Sequence, residues 1–289
     1  MAHVVESVAT NSTDNSTTCV IAKPTGLAVG NLMVASLVCQ ALTASAITTL
    51  SGWTSAVSQT SSRAGGVSIQ FKVATSDDVA ESDFTFTAAV AGGFSGAIIR
   101  LSNNRTSSIV GVTDGYAANT VDSATLSTTV SITPAFNESF VVMAVTGRST
   151  AFDGTTRTIS GYNTTPTITF TELFDYSDIG NNPRQGGSAY GTQTTAAELT
   201  QYGAVFSVSR TDHLACLATF YPVTNASGSN ALSSTDTITF TQAGIANASG
   251  ANTLTETDTV GFTQGGRATS PDVWVDQTKT DGTWTDQPK

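Results

Sequence analysis

Charged side chains are scarce in this chain. Of its 289 residues, 12 are Lys or Arg and 22 are Asp or Glu, which gives a formal net charge of −10 and an isoelectric point near 4.4. Proteins that bind nucleic acid neutralise phosphates with clustered basic side chains, and anionic membrane surfaces attract the same residues. We therefore expect neither nucleic acid nor a membrane among the partners.

Cysteine and histidine are also rare. Cys19, Cys39 and Cys216 each lie within an apolar run, and their odd number favours small buried side chains over a disulfide framework. His3 and His213 are the only imidazoles, and neither has a Cys or His at metal-ligand spacing. The sequence contains no nucleotide-binding loop, dinucleotide fingerprint, HExxH motif or G-x-S-x-G elbow. We therefore expect no enzyme, no cofactor and no metal centre.

Two kinds of long hydrophobic segment are missing. The first residues lack the positive and apolar regions of a signal peptide, so we expect none. Residues 27–50 carry no charge, but Asn31, Ser36, Gln40 and several Ser and Thr residues interrupt them. A membrane span needs about 20 predominantly apolar residues. We therefore interpret residues 27–50 as part of a folded core.

The apolar residues that are present follow the pattern of short strands. No long segment has helical periodicity, and turn residues separate runs with period two. The chain is organised around residues 26–54, where 32–39 are apolar on both faces and predict a strand covered on each side. Residues 140–145 predict a second such strand. Residues 67–74 alternate and predict a strand with one wet face, and residues 77–83 predict an acidic turn.

About a dozen such strands predict an all-β fold, in which residues 1–223 form an antiparallel, jelly-roll-like β-sandwich. One strand is locally inconsistent. Regular alternation over residues 167–176 would place Glu172 on the same face as Phe170 and Phe174, and an unpaired buried carboxylate costs several kcal/mol or is neutralised. We predict a β-bulge near Glu172 and Leu173 that turns the acid outward. A paired or functional Glu172 is the alternative.

The composition changes after residue 223 to a linker rich in Asn, Ser and Ala. DTITFTQ then recurs as DTVGFTQ 22 residues later, and WVDQ recurs as WTDQ 10 residues later. Segments this short cannot bury a core alone. They must pack on each other, on residues 1–223 or on other copies of the chain, and we favour a C-terminal β arm, residues 224–289, that packs on other copies as a trimer. The large aromatic residues expected between copies are Phe240, Phe262, Trp274 and Trp284.

Two long irregular segments, residues 147–165 and 176–187, are predicted to form an exposed recognition surface, because binding residues concentrate on loops of rigid scaffolds. Aromatic rings beside amides in such loops suit sugar rings. The candidate recognition residues are Arg157, Tyr162, Asn163, Asp178, Asn181, Asn182, Arg184 and Tyr190.

Carboxylates form two local groups, one within residues 77–83 and one comprising Glu172, Asp175 and Asp178. We interpret both as solvated turns. Calcium binding by either group is an alternative, although the EF-hand pattern is missing. A polysaccharide depolymerase would need two such carboxyls across one sugar bond, and a host-glycan-binding module is a further alternative.

Five short motifs along the first hundred residues carry a family resemblance. They are PTGLAVGNLMVA (24–35), GWT (52–54), IQFKVA (69–74), FTFT (84–87) and GAIIRL (96–101). In this order they resemble a β-sandwich domain of virion structural proteins of tailed bacteriophages, which would cover residues 1–223. Asn31 stands where that pattern usually has Asp.

The C-terminal repeats are similar to tandem segments and tails of phage fibre and tail proteins. The resemblance implies a non-enzymatic virion component, assembled in the host cytoplasm and displayed outside the particle. It would be a fibre or adhesin-like subunit or a capsid decoration protein, with copies of itself, other virion proteins and a host cell-surface glycan as the expected partners.

Overall fold

The fold is known from a computed structural model of the chain. It describes residues 2–105, 107–118, 123–148, 158–178, 184–210, 212–223, 238–242, 260–264, 276–280 and 283–287. The last four ranges are described by their backbone, as are Ala118, Asp178, Val208 and Arg210. By contacts the chain divides into two compact units, Met1–Thr224, called the body below, and Asn225–Lys289.

Strands account for almost all regular structure in the body, so the predicted all-β fold class is confirmed. The elements are β1 (Val4–Ala22), β2 (Leu32–Gln40), β3 (Thr54–Ser61), β4 (Gly65–Val73), α1 (Ser76–Ala80), β5 (Asp83–Ser102), β6 (Val110–Ala118), β7 (Ser123–Ile132), β8 (Ser139–Arg148), β9 (Ile159–Thr165), β10 (Phe170–Asp178), β11 (Arg184–Gln193), β12 (Leu199–Arg210) and β13 (Asp212–Phe220).

The described strands of the body form three antiparallel sheets. The first has the order β1-β5-β2-β4-β3, the second β10-β11-β8-β13-β6 and the third β7-β12-β9. The first and second sheets pack face to face as a β-sandwich around a central core that includes Val34, Ile99, Val142 and Phe220. The third sheet covers the other face of the second. The stack therefore has three layers.

Strands β2 and β8 are the centres of the two large sheets. β2 is buried along its whole length, and in β8 all residues but the last are buried. This confirms the two predicted strands with both faces covered. The outer face of β2 packs under residues 41–53, where Trp53 makes edge contacts with Phe84 and Phe86 at centroid distances of 5.6 and 5.5 Å. Trp53 therefore closes the core on that side.

The two large sheets share one topology. If the second is read from its other edge, β6, β13, β8, β11 and β10 occupy the places of β1, β5, β2, β4 and β3. Thr54 pairs with Phe71 and a bulge follows between Ser55 and Val57. In the second half of the body Thr171 pairs with Tyr190, and a bulge again begins one residue later, between Glu172 and Phe174. Residues 4–102 and 110–220, called the first and second modules below, therefore each contain a five-stranded sheet of the same topology, and the second module adds β7, β9 and β12.

The bulge in the second module lies between Glu172 and Phe174. Glu172 is exposed, so the predicted bulge and the outward carboxylate are confirmed. The bulge inserts Leu173 as an extra residue and shifts the alternation of side chains along β10. Phe170 therefore packs toward the third sheet, and Phe174 packs against the central core.

Two sequence predictions about local structure are wrong. The first six residues of β4 are all buried, so this part of the strand has no solvent-exposed face. Residues 41–53 cover the face that was predicted to be exposed. There the Gln70 amide donates to the Thr48 carbonyl at 3.1 Å and accepts from Leu50 N at 3.0 Å. The predicted acidic turn contains the helix α1, whose first turn is held by a capping box between Thr75 and Asp78.

The described residues of the second unit form two separate strand pairs. β14 (Ile238–Gln242) and β15 (Val260–Gln264) are parallel, and identical positions of the two related segments lie side by side, so that Phe240 pairs with Phe262. β16 (Asp276–Thr280) and β17 (Thr283–Gln287), which carries Trp284, form an antiparallel pair. Trp274 lies outside the described residues.

Loss of the Trp53 ring should destabilise the body. Trp53→Ala is expected to lower the free energy of unfolding by about 3–5 kcal/mol, because it opens a cavity against Phe84 and Phe86. Phe170→Ala is the matched control, since Phe170 occupies the equivalent place in the second module but is half-buried. Urea unfolding followed by circular dichroism measures both. A Trp53 loss no larger than that of Phe170 would contradict this account of the core.

Candidate functional site

In the two segments predicted as recognition loops, nearly all of the described residues belong to strands. The first includes the end of β8 and all of β9, and the second includes the last three residues of β10 and the first four of β11. Residues 149–157 and 179–183 lie outside the described residues. Of the candidate recognition residues, Arg157, Asn181 and Asn182 fall in these ranges, and Asp178 is described by its backbone alone.

Arg184 does not belong to an exposed surface. Its side chain is 6% exposed and donates to the Gln40 carbonyl of the first sheet. It stands in one row of the second sheet with Asp178, Arg148 and the fully buried Asp212. The hydrogen bond to Gln40 joins the second sheet to the first, so Arg184 has a structural role. The predicted exposure of Arg184 is wrong.

Tyr162 and Asp175 face each other across the junction of the second and third sheets. Asp175 in β10 pairs with Gly187 in β11, and Asp175 Oδ2 accepts a hydrogen bond from Ile159 N of β9 at 2.8 Å. A β-carbon at Gly187 would collide with the Tyr162 hydroxyl and lie 2.7 Å from Asp175 Oδ1. Both oxygens are closed to solvent and have no hydrogen-bond partner among the described residues.

This setting changes the acidity of both groups. Burial raises the pKa of Asp175 to about 6, with a smaller upward contribution from Glu172, while the Ile159 amide opposes the change. Burial, followed by the charges of Asp175 and Glu172, raises the pKa of Tyr162 well above its usual range. At neutral pH the phenol is therefore protonated and the carboxylate is ionised, which makes the pair a pH-dependent part of the body.

Asn163 and Tyr190 lie on two other surfaces. Asn163 is half-buried in β9 and its amide donates to the Gly161 carbonyl at 2.7 Å. Tyr190 in β11 stacks on Phe140 with a centroid distance of 5.3 Å and an interplanar angle of 30°. The fold therefore does not gather the described recognition residues into one site.

Tyr190 also lines the groove, an open cavity of about 600 Å3 at the end of the β10–β11 hairpin. Its walls come from residues 166–171 and 190–197, none of the lining side chains is charged, and half of the twelve lining residues are threonines. Tyr190 was predicted from the sequence as a recognition residue, but the groove was not predicted. One sequence feature could have indicated the groove: threonines alternate with other residues near the start of β10 and the end of β11. They are Thr167, Thr169, Thr171, Thr192 and Thr194.

Cys19, Cys39 and Cys216 are free and buried, as predicted. Burial raises the pKa of the Cys19 thiol to about 12. Within the described ranges no three His, Cys, Asp or Glu side chains are placed to hold a metal ion together. In the same part of the chain, no helix has the length and apolar character needed to cross a membrane.

Comparisons of the chain with models of protein families, with curated proteins and with solved structures found no match.

The raised pKa of Asp175 predicts a pH-dependent stability. Because the folded pKa lies above the ordinary value of 3.8, the associated stability is present at pH 4 and is lost as the pH rises through about 6. Asp175→Asn keeps an acceptor for Ile159 N and should remove this loss. After allowance for solvent screening, the free energy of unfolding of the variant, relative to that of wild type, should rise by about 1 kcal/mol between pH 4 and pH 7.5.

Urea unfolding of both proteins at several pH values measures the gain. Glu172→Gln is the matched control: it removes the neighbouring charge but keeps the Asp175 carboxyl, so it should reduce the pH dependence without abolishing it. Parallel stability curves for wild type and Asp175→Asn would refute the assignment.

Proposed function

We propose that this chain is a non-enzymatic structural protein of a tailed bacteriophage virion, displayed on the outside of the particle as a fibre or adhesin-like subunit or as a capsid decoration protein. The observation that carries the proposal is the pairing of the two related C-terminal segments, in parallel and in register, as β14 and β15.

A pair of this kind is incomplete by itself. Each strand has five residues, and an isolated two-stranded sheet is at best marginally stable in water. Parallel sheets are normally covered on both faces, and stacked repeats bury a continuous core only through their neighbours. Strands from further copies of the chain supply what is missing, and a trimer around the arm does so with the same residues in every subunit.

The body suits display at the end or on the surface of such an assembly. Its two modules form one sandwich with buried central strands, so it is a rigid scaffold that does not need the arm for its core. Self-association through the arm would present several bodies together, and linked copies bind a surface far more tightly than one copy does.

Self-association is tested by the mass of the purified protein. The full chain is expected to have the mass of a trimer, and residues 1–224 alone are expected to be a folded monomer. The body is a fair control because it is a compact unit with its own cores. In the full chain, Phe240→Ser combined with Phe262→Ser should weaken the assembly. A body that reaches the same mass as the full chain would disprove the role of the arm.

Display is tested on particles of the phage that encodes the chain. Gold-labelled antibodies raised against residues 1–224 should bind intact particles, and the position of the gold separates a tail fibre from a capsid decoration protein. Antibodies against an internal protein of the same particles provide the control for intactness. Label that appears only on opened particles, or on none, rejects external display.

A further inference from the structure

We infer that the groove of the second module is a binding site for a neutral saccharide. The inference extends the adhesin side of the proposed function, and the saccharide contact itself does not depend on virion assembly.

The chemistry of the lining selects the ligand class. Six of the lining residues are threonines, and none is Asp, Glu, Lys, Arg or His. A hydroxyl group both donates and accepts hydrogen bonds, as sugar hydroxyls do. A charged ligand would be desolvated there without an opposite charge, and a purely apolar ligand would leave the threonine hydroxyls unpaired. A neutral polyhydroxylated ligand meets neither penalty.

Two further side chains give the groove a defined wall and floor. Tyr190 is fixed by its stacking on Phe140, and its hydroxyl makes no hydrogen bond to the described residues. Gln193 is 3% exposed, and its Nε2 donates to the Ala197 carbonyl at 2.7 Å. Its Oε1 is buried without a partner in the described part of the chain. A buried acceptor without a donor is unfavourable, and a sugar hydroxyl is a suitable donor.

The first module shows that the groove is not a necessary product of the fold. By register, Lys72 takes the place of Gly191, and Lys72 Nζ forms an ion pair with Asp78 of α1 at 2.6 Å. The connection that follows is nine residues long in the first module (74–82) and five in the second (194–198), where it contains no helix. The second module therefore lacks both the charge pair and the helix beside its strand ends.

The size of the groove is compatible with this ligand. Small-molecule sites commonly have volumes of about 300–1,000 Å3, and the groove falls within that range at about 600 Å3. Its open shape admits an internal unit of a chain as well as an end.

Saturation-transfer NMR with the full chain tests the site. The probes are the neutral pentasaccharides of glucose, mannose, xylose and N-acetylglucosamine, with oligosialic acid as the charged comparison. At least one neutral probe is expected to bind and oligosialic acid is not. Thr195→Trp, which places a large ring in the groove from an exposed position, should weaken binding at least tenfold.

Thr129→Trp is the matched control, because Thr129 is exposed on β7 and does not line the groove, and it should bind as wild type. Thr194→Glu is a second groove variant that adds a charge at an exposed position, and it should weaken binding as well. Circular dichroism and the mass of each variant should equal those of wild type, so assembly is scored separately from sugar binding. Failure of all neutral probes, binding of the charged probe alone, or equal losses at Thr195 and Thr129 would each overturn the inference.

Discussion

The covering of both faces of β2 and β8 is the constraint on which the body depends. A strand with apolar side chains on both faces is stable only between two layers, and two such strands face each other across the central core. Each then needs a further layer on its outer side. For β8 that layer is the third sheet, with Tyr202 and Phe206. For β2 it is formed by residues 41–53 together with the antiparallel pair of β1 and β5 at Phe84 and Phe86. The three-layer order follows from this requirement.

The same constraint explains how the two modules fit together. At the contact of the modules, Ser36 Oγ lies 2.6 Å from Ser188 Oγ, and Ser188 Oγ donates to the Met143 carbonyl at 2.8 Å. Hydroxyls here are tolerated because each has a partner. Gly186 lets the sheets approach, since a β-carbon at that position would lie 2.6 Å from Val38 Cγ1. Where the first module has Val67 and Ile69, the second has Gly186 and Ser188. The equivalent strands β4 and β11 therefore carry side chains of different size, and the small ones of β11 let the two sheets pack closely.

That difference also marks the limit of prediction from the sequence. The two central strands and the bulge at Glu172 could be predicted, because each follows from the local pattern of apolar residues whatever lies opposite. The buried polar face of β4 could not, since its cover is an irregular segment whose backbone groups satisfy Gln70. The shared topology could not be predicted because equivalent positions often differ in residue type, as Val67 and Gly186 do, and Ile69 and Ser188. Tyr162 was identified as a residue, but its approach to Asp175 depends on the adjacency of β9, β10 and β11.

Because the two large sheets share one topology, each strand end of the first sheet has an equivalent in the second, and the ends of β4 and β11 are closed differently. In the first module the end of β4 is closed by the ion pair between Lys72 and Asp78 and by the capping box of α1. In the second, a shorter connection leaves threonine hydroxyls and the half-buried Tyr190 beside open space. Among the lining residues of the groove, Tyr190 packs against the central core and Ile168 belongs to the core beside the third sheet, whereas the six threonines belong to neither core. The groove can therefore vary in chemistry without loss of the fold, and a ligand site at a strand end of a rigid scaffold requires that freedom.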